Sequence, residues 1–242
     1  MVNWFWRRGA KRKRVEAPKL RPRSENAVGA TRVDLADLAP HAEQFLAQAA
    51  YVQLVTFEGL STAIATAPAL AAREALTEAA RISLARHQAL IAEIRRTGAD
   101  PAEAMAPYTA GIDFFQRVTR GDTWHETLLT SHITAGILDD FFTKVAGGLP
   151  ADLQARVDEI YTAESHDPLL SEQLRLAIAA EPKVAAHLAM WGRRLVGDTI
   201  LVARSALAAP PSSATDEARI EPVFTELIAS HTRRMDALGL TA

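Results

Sequence analysis

From Pro40 onward, the hydrophobic and polar positions of this chain follow the period of an α-helix. Apolar residues recur every three or four positions in long segments, and prolines and glycines separate those segments. This pattern predicts helices over residues 40–66, 69–97, 109–119, 122–146, 150–180, 182–208 and 217–237. No segment shows the strict alternation of a β-strand. The sequence therefore predicts an all-α domain over residues 36–242.

The order of the predicted helices indicates a bundle. Two pairs of long helices, separated by a longer crossover, match the layout of a ferritin-like four-helix bundle, which the last two helices would extend. A simple up-down bundle would give a similar pattern. Pro168 falls inside the helix predicted over 150–180 and is expected to kink it, because proline removes a helix amide.

The composition of the chain agrees with helices that pack closely. Hydrophobic residues make up 48% and aromatic residues only 6%, and small alanines let helices approach one another. The sequence contains no cysteine, which excludes a disulfide framework and a thiolate metal site and fits a reducing compartment. No apolar run approaches the length that spans a bilayer. The expected localisation is cytoplasmic.

The basic charge of the chain is concentrated near its start. Residues 1–25 contain nine Lys or Arg and only two Glu, although the whole chain has a net charge of −2. We interpret residues 1–35 as a disordered basic arm. Its aromatic tip, Trp4, Phe5 and Trp6, precedes the first cations. Aromatic residues beside cations suit tRNA bases or an anionic membrane surface, and a solubilising tail is the plainer interpretation.

Three polar residues fall where they could converge inside the bundle. His87 lies on the apolar stripe of its predicted helix, His166 shares a predicted face with Ala163 and Leu170, and Glu58 lies on the first long helix. Di-iron bundles take a Glu from each of two helices and a Glu-x-x-His pair from each of the other two. Both histidines here lack the glutamate three residues earlier.

Several stretches of the chain, in order, resemble one known family. They are Phe57-Glu58-Gly59-Leu60, His87 within its helix, Ala104-Met105-Ala106-Pro107-Tyr108, Asp140-Phe141-Phe142, Ala177 to Pro182, Trp191 to Asp198, and His231 to Leu240. The chain resembles the actinobacterial ferritin-like proteins that are similar to the tRNA 2-methylthio-N6-isopentenyladenosine hydroxylase. The resemblance covers about residues 43–240. It implies a six-helix ferritin-like domain.

The resemblance also implies a degenerate di-iron site. It places metal ligands at six positions, of which only Glu58, His87 and His166 keep a matching residue type. Leu84, Ala135 and Ala163 stand where the family has acidic residues. Two iron ions bring at least four positive charges into a core of low dielectric constant, and one glutamate offsets little of that charge.

Three states of this site remain open: a bound iron pair, a single metal on Glu58, His87 and His166, or a metal-free core. His132 and Asp139 flank Ala135, but we expect both to be ordinary polar groups. The first functional hypothesis is a non-catalytic scaffold or binding module. The alternative is a non-haem iron-dependent hydroxylase that acts on a modified tRNA adenosine, for which the basic arm would be a suitable RNA contact.

Overall fold

The computed structural model describes residues 35–207 and 214–240, and the side chains of 36–207 and 221–240. These residues form one short 3-10 helix, Leu35–Leu38, and eight α-helices without any strand. The α-helices are α1 (Ala42–Thr66), α2 (Leu70–Arg96), α3 (Pro101–Val118), α4 (Trp124–Ala146), α5 (Ala151–Thr162), α6 (Asp167–Ala180), α7 (Pro182–Ser205) and α8 (Ala214–Ala237). The predicted all-α class is confirmed.

Local sequence signals fix where several helices begin. The side chain of Asp100 accepts a hydrogen bond from the amide of Glu103 at the start of α3, and Pro101 occupies its first turn. Thr123 and Glu126 form a reciprocal capping box at the start of α4. These caps satisfy amides that have no partner within the helix.

Two predicted helices differ from the observed ones. The helix predicted over 150–180 is divided into α5 and α6, because Pro168 lies in the first turn of a new helix instead of kinking a continuous one. The crossover helix α3 starts at Pro101 and continues through Pro107, so it is longer than the segment 109–119 that the sequence indicated.

Four helices form a closed bundle. Helix α1 packs along α2 and beside α4, and α6 completes the ring by contacting both α2 and α4. The crossover helix α3 lies against α1, and α7 and α8 pack on α4. This arrangement is the predicted four-helix bundle extended by two C-terminal helices.

The core contains two apolar clusters with a polar layer between them. On α2, Leu76 and Ala79 belong to one cluster, and Leu90 and Ile94 belong to the other. The buried polar side chains of α2 that lie between them include Arg86. Helices α1 and α4 also contribute to both clusters, and α6 contributes to one of them. Polar groups from different helices therefore meet at the level between the two clusters.

No helix among the described residues is long and apolar enough to cross a membrane. The basic arm predicted over residues 1–35 lies outside the described residues apart from Leu35, so its proposed boundary and its aromatic tip remain predictions.

Candidate functional site: a buried ion-pair cluster

The guanidinium of Arg86 occupies the centre of the bundle. Its side chain is only 5% exposed, and Nη1 lies 2.7 Å from Oδ2 of Asp139 on α4. Nη2 donates to the main-chain carbonyls of Tyr161 (3.0 Å), in the last turn of α5, and Glu164 (2.6 Å), just after that helix. The guanidinium also lies over the Tyr161 ring, 5.2 Å from its centroid. One cation therefore connects three helices.

Asp139 receives hydrogen-bonding groups from three sides. Besides Arg86, Gln53 of α1 donates to its Oδ1 at 3.1 Å, and His166 Nε2 lies 3.4 Å from its Oδ2. His166 is buried, and this burial, together with the charge of Arg86, lowers its pKa despite the opposing influence of Asp139. The imidazole is therefore neutral at pH 7, and Arg86 is the cation that balances Asp139.

A second set of polar contacts lies beside this cluster. His132 Nδ1 is 3.3 Å from Oδ1 of Asp167, and Arg234 of α8 donates to Oδ2 of Asp140 at 2.8 Å. Burial lowers the pKa of His132 to about 4. Gly136 makes room for Arg234, because a Cβ at that position would lie 2.7 Å from its Nε. These contacts attach α6 and α8 to α4.

The three predicted metal ligands lie in different surroundings. His87 is buried, and its Nδ1 donates to the carbonyl of Ala50 at 2.8 Å. His166 lies beside Asp139, whereas Glu58 is exposed and lines a separate cavity. Among the described residues, no three His, Asp or Glu side chains are grouped so that they could hold a metal ion. The structure does not bring Glu58, His87 and His166 together as one ligand set.

Two of the three apolar residues that stand in place of the family's acidic ligands also lie where they were not expected. Ala163 is exposed in the connection after α5, so it does not share a helix face with His166. Leu84 is only half-buried, whereas Ala135 is buried on α4 as expected. A carboxylate at position 163 of this backbone would point to the surface. The physical reason is that the helix predicted over 150–180 is divided into α5 and α6, so position 163 lies outside both helices.

One comparison with known proteins decides the family. The family model for the ferritin-like domain of actinomycetes matches residues 40–210, which is more than two thirds of the chain. The chain belongs to this family. No curated protein matched the chain. The matched range of the ferritin-like domain includes α1 to α7 and therefore the whole Arg86–Asp139–His166 cluster.

The centre of this ferritin-like domain does not fit a di-metal site. Such a site needs several inward carboxylates to offset the metal charge. Here Asp139 is the carboxylate at the centre, and it is already paired with Arg86. Nη1 of Arg86 lies 3.5 Å from Nε2 of His166, so a cation bound to that nitrogen would stand beside a fixed positive charge.

The sequence contains a signal for Arg86 on a face of α2 next to the one that carries His87. Leu76, Ala79, Ser83, Arg86 and Leu90 are all buried and follow a spacing of three and four residues along α2. This buried stripe runs beside the one that was predicted through His87. An arginine on such a stripe needs an internal acid, and Asp139 supplies it.

Proposed function

We propose that this ferritin-like domain is a non-catalytic scaffold or binding module, in which Arg86 supplies the positive charge that metal ions supply in di-iron bundles. The observation that supports this proposal is the placement of its guanidinium, 2.7 Å from Asp139 and hydrogen-bonded to two main-chain carbonyls. These contacts use the charge and most of the donors of the side chain. An ion pair and its hydrogen bonds then hold the four-helix bundle together at the level where a di-iron bundle binds its metal ions.

Metal analysis tests this proposal directly. Protein purified from iron-replete cells, and protein incubated anaerobically with ferrous iron and then desalted, is expected to retain no stoichiometric iron. The variants His87→Ala and His166→Ala show whether any retained iron depends on the predicted ligands. His41→Gln, a change at an exposed histidine, is the control. Stoichiometric iron that is lost in the first two variants and kept in the control would overturn the proposal.

The second candidate is an iron-dependent hydroxylase that acts on a modified tRNA adenosine. It is favoured by the residue types at Glu58, His87 and His166, which match the family pattern. If this candidate is correct, the ferrous protein consumes oxygen faster when tRNA that carries the modified adenosine is added. The same measurement with His87→Ala must show no increase. An equal response of both proteins would count against this candidate.

The basic arm is proposed to attach the domain to tRNA or to an anionic membrane surface. The support is the cluster of nine cations in residues 1–25 beside Trp4, Phe5 and Trp6. Deletion of residues 1–30 is expected to abolish co-sedimentation with anionic vesicles or retention by tRNA, and to do so most clearly at low salt. If the shortened chain binds both ligands as well as the full chain does, the arm has no such role.

A further inference from the structure

A cavity of about 440 Å³ lies between α1, α3, α4 and α7. Arg86, Asp139 and His166 do not line it, so it is distinct from the buried cluster. Its inner part is apolar and is formed by Val52, Val55, Ile112, Phe115 and Leu138. A volume of this size accommodates a small organic molecule.

The polar wall of this cavity offers hydrogen-bond acceptors. Every serine and threonine hydroxyl that lines it donates its proton to a main-chain carbonyl. These hydroxyls belong to Thr56, Thr62, Thr119, Thr127, Thr130, Ser131 and Thr134. A hydroxyl has one proton and two lone pairs. Thr130 Oγ1 already accepts from the indole N–H of Trp191 at 2.9 Å. Because each hydroxyl proton is used, the other oxygen atoms that face the cavity are available mainly to a ligand that donates.

Glu58 contributes a carboxylate to the same wall. Among the described residues, it has no ion-pair partner and no side-chain hydrogen bond, although Arg117 and Arg120 also line the cavity. The guanidinium of Arg117 is instead held over the ring of Phe114, 5.6 Å from its centroid. Glu58 therefore remains available to a positively charged ligand, and Arg120, likewise without an ion-pair partner among the described residues, to a negatively charged one.

The other carboxylate of the cavity is already used within the protein. Asp113 accepts a hydrogen bond from the hydroxyl of Tyr51 at 2.5 Å. Partial burial, this hydrogen bond and the charge of Asp113 raise the pKa of Tyr51 to about 12, so the phenol keeps its proton at pH 7. Glu58 is thus the carboxylate that the described part of the cavity leaves for a ligand.

A second cavity of about 210 Å³ continues the apolar part of the first. The two share Val52, Ile112, Leu138 and Val202 as lining residues. Gln48 lines the second cavity, is only 6% exposed, and its Oε1 has no hydrogen-bond partner among the described residues. A buried amide oxygen without a partner is costly unless a ligand or water satisfies it.

We propose that the two cavities form a binding site for an organic ammonium ligand with an elongated apolar body. The ammonium group donates to Glu58 and to the hydroxyl wall, the apolar body lies along the four shared residues, and a hydrogen-bond donor at its far end reaches Oε1 of Gln48. Gln48 and Glu58 are ten residues apart on α1, which corresponds to about 15 Å along the helix axis. The site is separate from the Arg86 cluster, because no residue of that cluster lines the larger cavity. Glu58 is also a predicted iron ligand, so iron bound there would compete with the ammonium group.

Three probes with the same tail and different head groups test the chemistry of this site. Isothermal titration of the full chain at low salt is expected to show binding of octylammonium, weaker binding of octanol and the weakest binding of octanoate. Glu58→Gln is expected to weaken octylammonium binding about two- to five-fold and to leave octanol binding unchanged, because the substitution removes a charge-assisted hydrogen bond at an exposed carboxylate. Glu74→Gln, a change at an exposed glutamate of α2, is the matched control.

Two further variants distinguish the apolar part from the polar wall. Val202→Phe fills the space that the cavities share and is expected to weaken all three probes. Thr134→Val keeps the shape of the side chain, removes an acceptor and is expected to weaken octylammonium and, to a smaller extent, octanol, but not octanoate. It also serves if Val202→Phe fails to fold by circular dichroism. Equal binding of octanoate and octylammonium, or octylammonium binding that Glu58→Gln leaves unchanged, overturns the proposal. Absence of binding by every probe overturns it as well.

Discussion

At the scale of single residues, the Arg86–Asp139 pair is the most demanding feature of the domain. A buried charge is tolerated only if its partner and hydrogen bonds replace the water that it has lost. Arg86 has an anion on one side and two carbonyls on the other. Removal of either charge leaves the other without compensation.

Arg86→Met is expected to destabilise the domain by about 3 to 5 kcal/mol, because Asp139 and two carbonyls lose their partner. Asp139→Leu should cost a similar amount. The double variant should lose less than the sum of the two, because the unpaired charge is removed together with its partner. Urea unfolding at pH 7 measures all three free energies. Arg95→Met, at an exposed position of the same helix, is the control. Equal effects of Arg86→Met and the control would contradict this account.

His231 is expected to make the stability of the domain depend on pH. The ring is buried and neither nitrogen has a hydrogen-bond partner among the described residues. Burial, followed by the charge of Arg234, lowers its pKa from 6.5 to about 4. The unfolded chain therefore binds a proton more readily than the folded one between these values. The contribution of His231 to stability is complete above pH 6.5 and is lost as the pH falls towards 4.

His231→Leu should therefore reduce the loss of stability between pH 7 and pH 4.5. The unfolding free energies of both proteins, measured by urea titration at a series of pH values, check this. A parallel pair of pH curves would show that other groups cause the acid sensitivity. His41→Leu, at an exposed histidine, controls for the loss of any imidazole.

Residue types predicted part of the candidate site. Burial of His87 followed from its place on an apolar stripe, and the structure confirms it. His166 is buried too, but not on the helix face that was predicted to include Ala163. The pairing of Asp139 with Arg86 could not be predicted, because it depends on how far α2 and α4 are rotated towards each other. A shift of one residue on a helix changes direction by about 100°. That shift separates the stripe through His87 from the stripe through Arg86.

At the scale of elements, the short helix Leu35–Leu38 depends on a glycine. Gly148 follows α4, and a Cβ at this position would lie 1.9 Å from the carbonyl oxygen of Ala36 and 2.6 Å from Cβ of Ala39. Two backbone segments approach closely there, and only a residue without a side chain allows it.

Gly148→Ala is expected to displace the Leu35–Leu38 segment and to cost about 1 to 3 kcal/mol, since an extra methyl group does not fit. Gly111→Ala offers the opposite case. It lies within α3, nothing is within 4 Å of its added Cβ, and the substitution should stabilise the domain by about 0.5 to 1 kcal/mol. Thermal unfolding followed by circular dichroism measures both. Stabilisation by both substitutions would mean that the close approach at Gly148 is absent in solution.

Helix ends were largely predictable, whereas the break between α5 and α6 was not. Gly98, Gly147 and Pro182 mark ends that the structure confirms within a few residues, whereas α3 begins at Pro101, well before the predicted start at residue 109. Pro168 allowed two outcomes from sequence, since proline either kinks a helix or occupies the first turn of the next one. The carbonyls of Tyr161 and Glu164, freed at this break, accept from Arg86. Tertiary contacts therefore favour the break.

At the scale of the whole molecule, the proposed metal-free bundle has a simple consequence. A ligand that binds the folded state raises its stability, and removal of that ligand lowers it. If Arg86 replaces the metal, a chelator such as EDTA should leave the unfolding midpoint unchanged, and ferrous or zinc ions should not raise it. Differential scanning calorimetry checks both. A midpoint that falls with the chelator and returns with iron would show that a metal stabilises the fold.

The all-α class and the bundle followed from the helical period of the apolar residues and from the prolines and glycines that separate the helices, because both signals depend on local sequence. The polar layer between the two apolar clusters arises only when distant helices meet, so its partners could not be predicted from one segment. The cavity under α3 has the same origin, since its walls come from four helices.

The Arg86 contacts also determine how the helices are aligned along their axes. If α2 slid by one turn, about 5.4 Å, its apolar side chains would still meet apolar neighbours. The guanidinium, however, would move away from Asp139 and the two carbonyls and into one of the apolar clusters. Alternative alignments that hydrophobic packing alone would tolerate are thus strongly penalised, so a single internal cation gives this alanine-rich bundle one register.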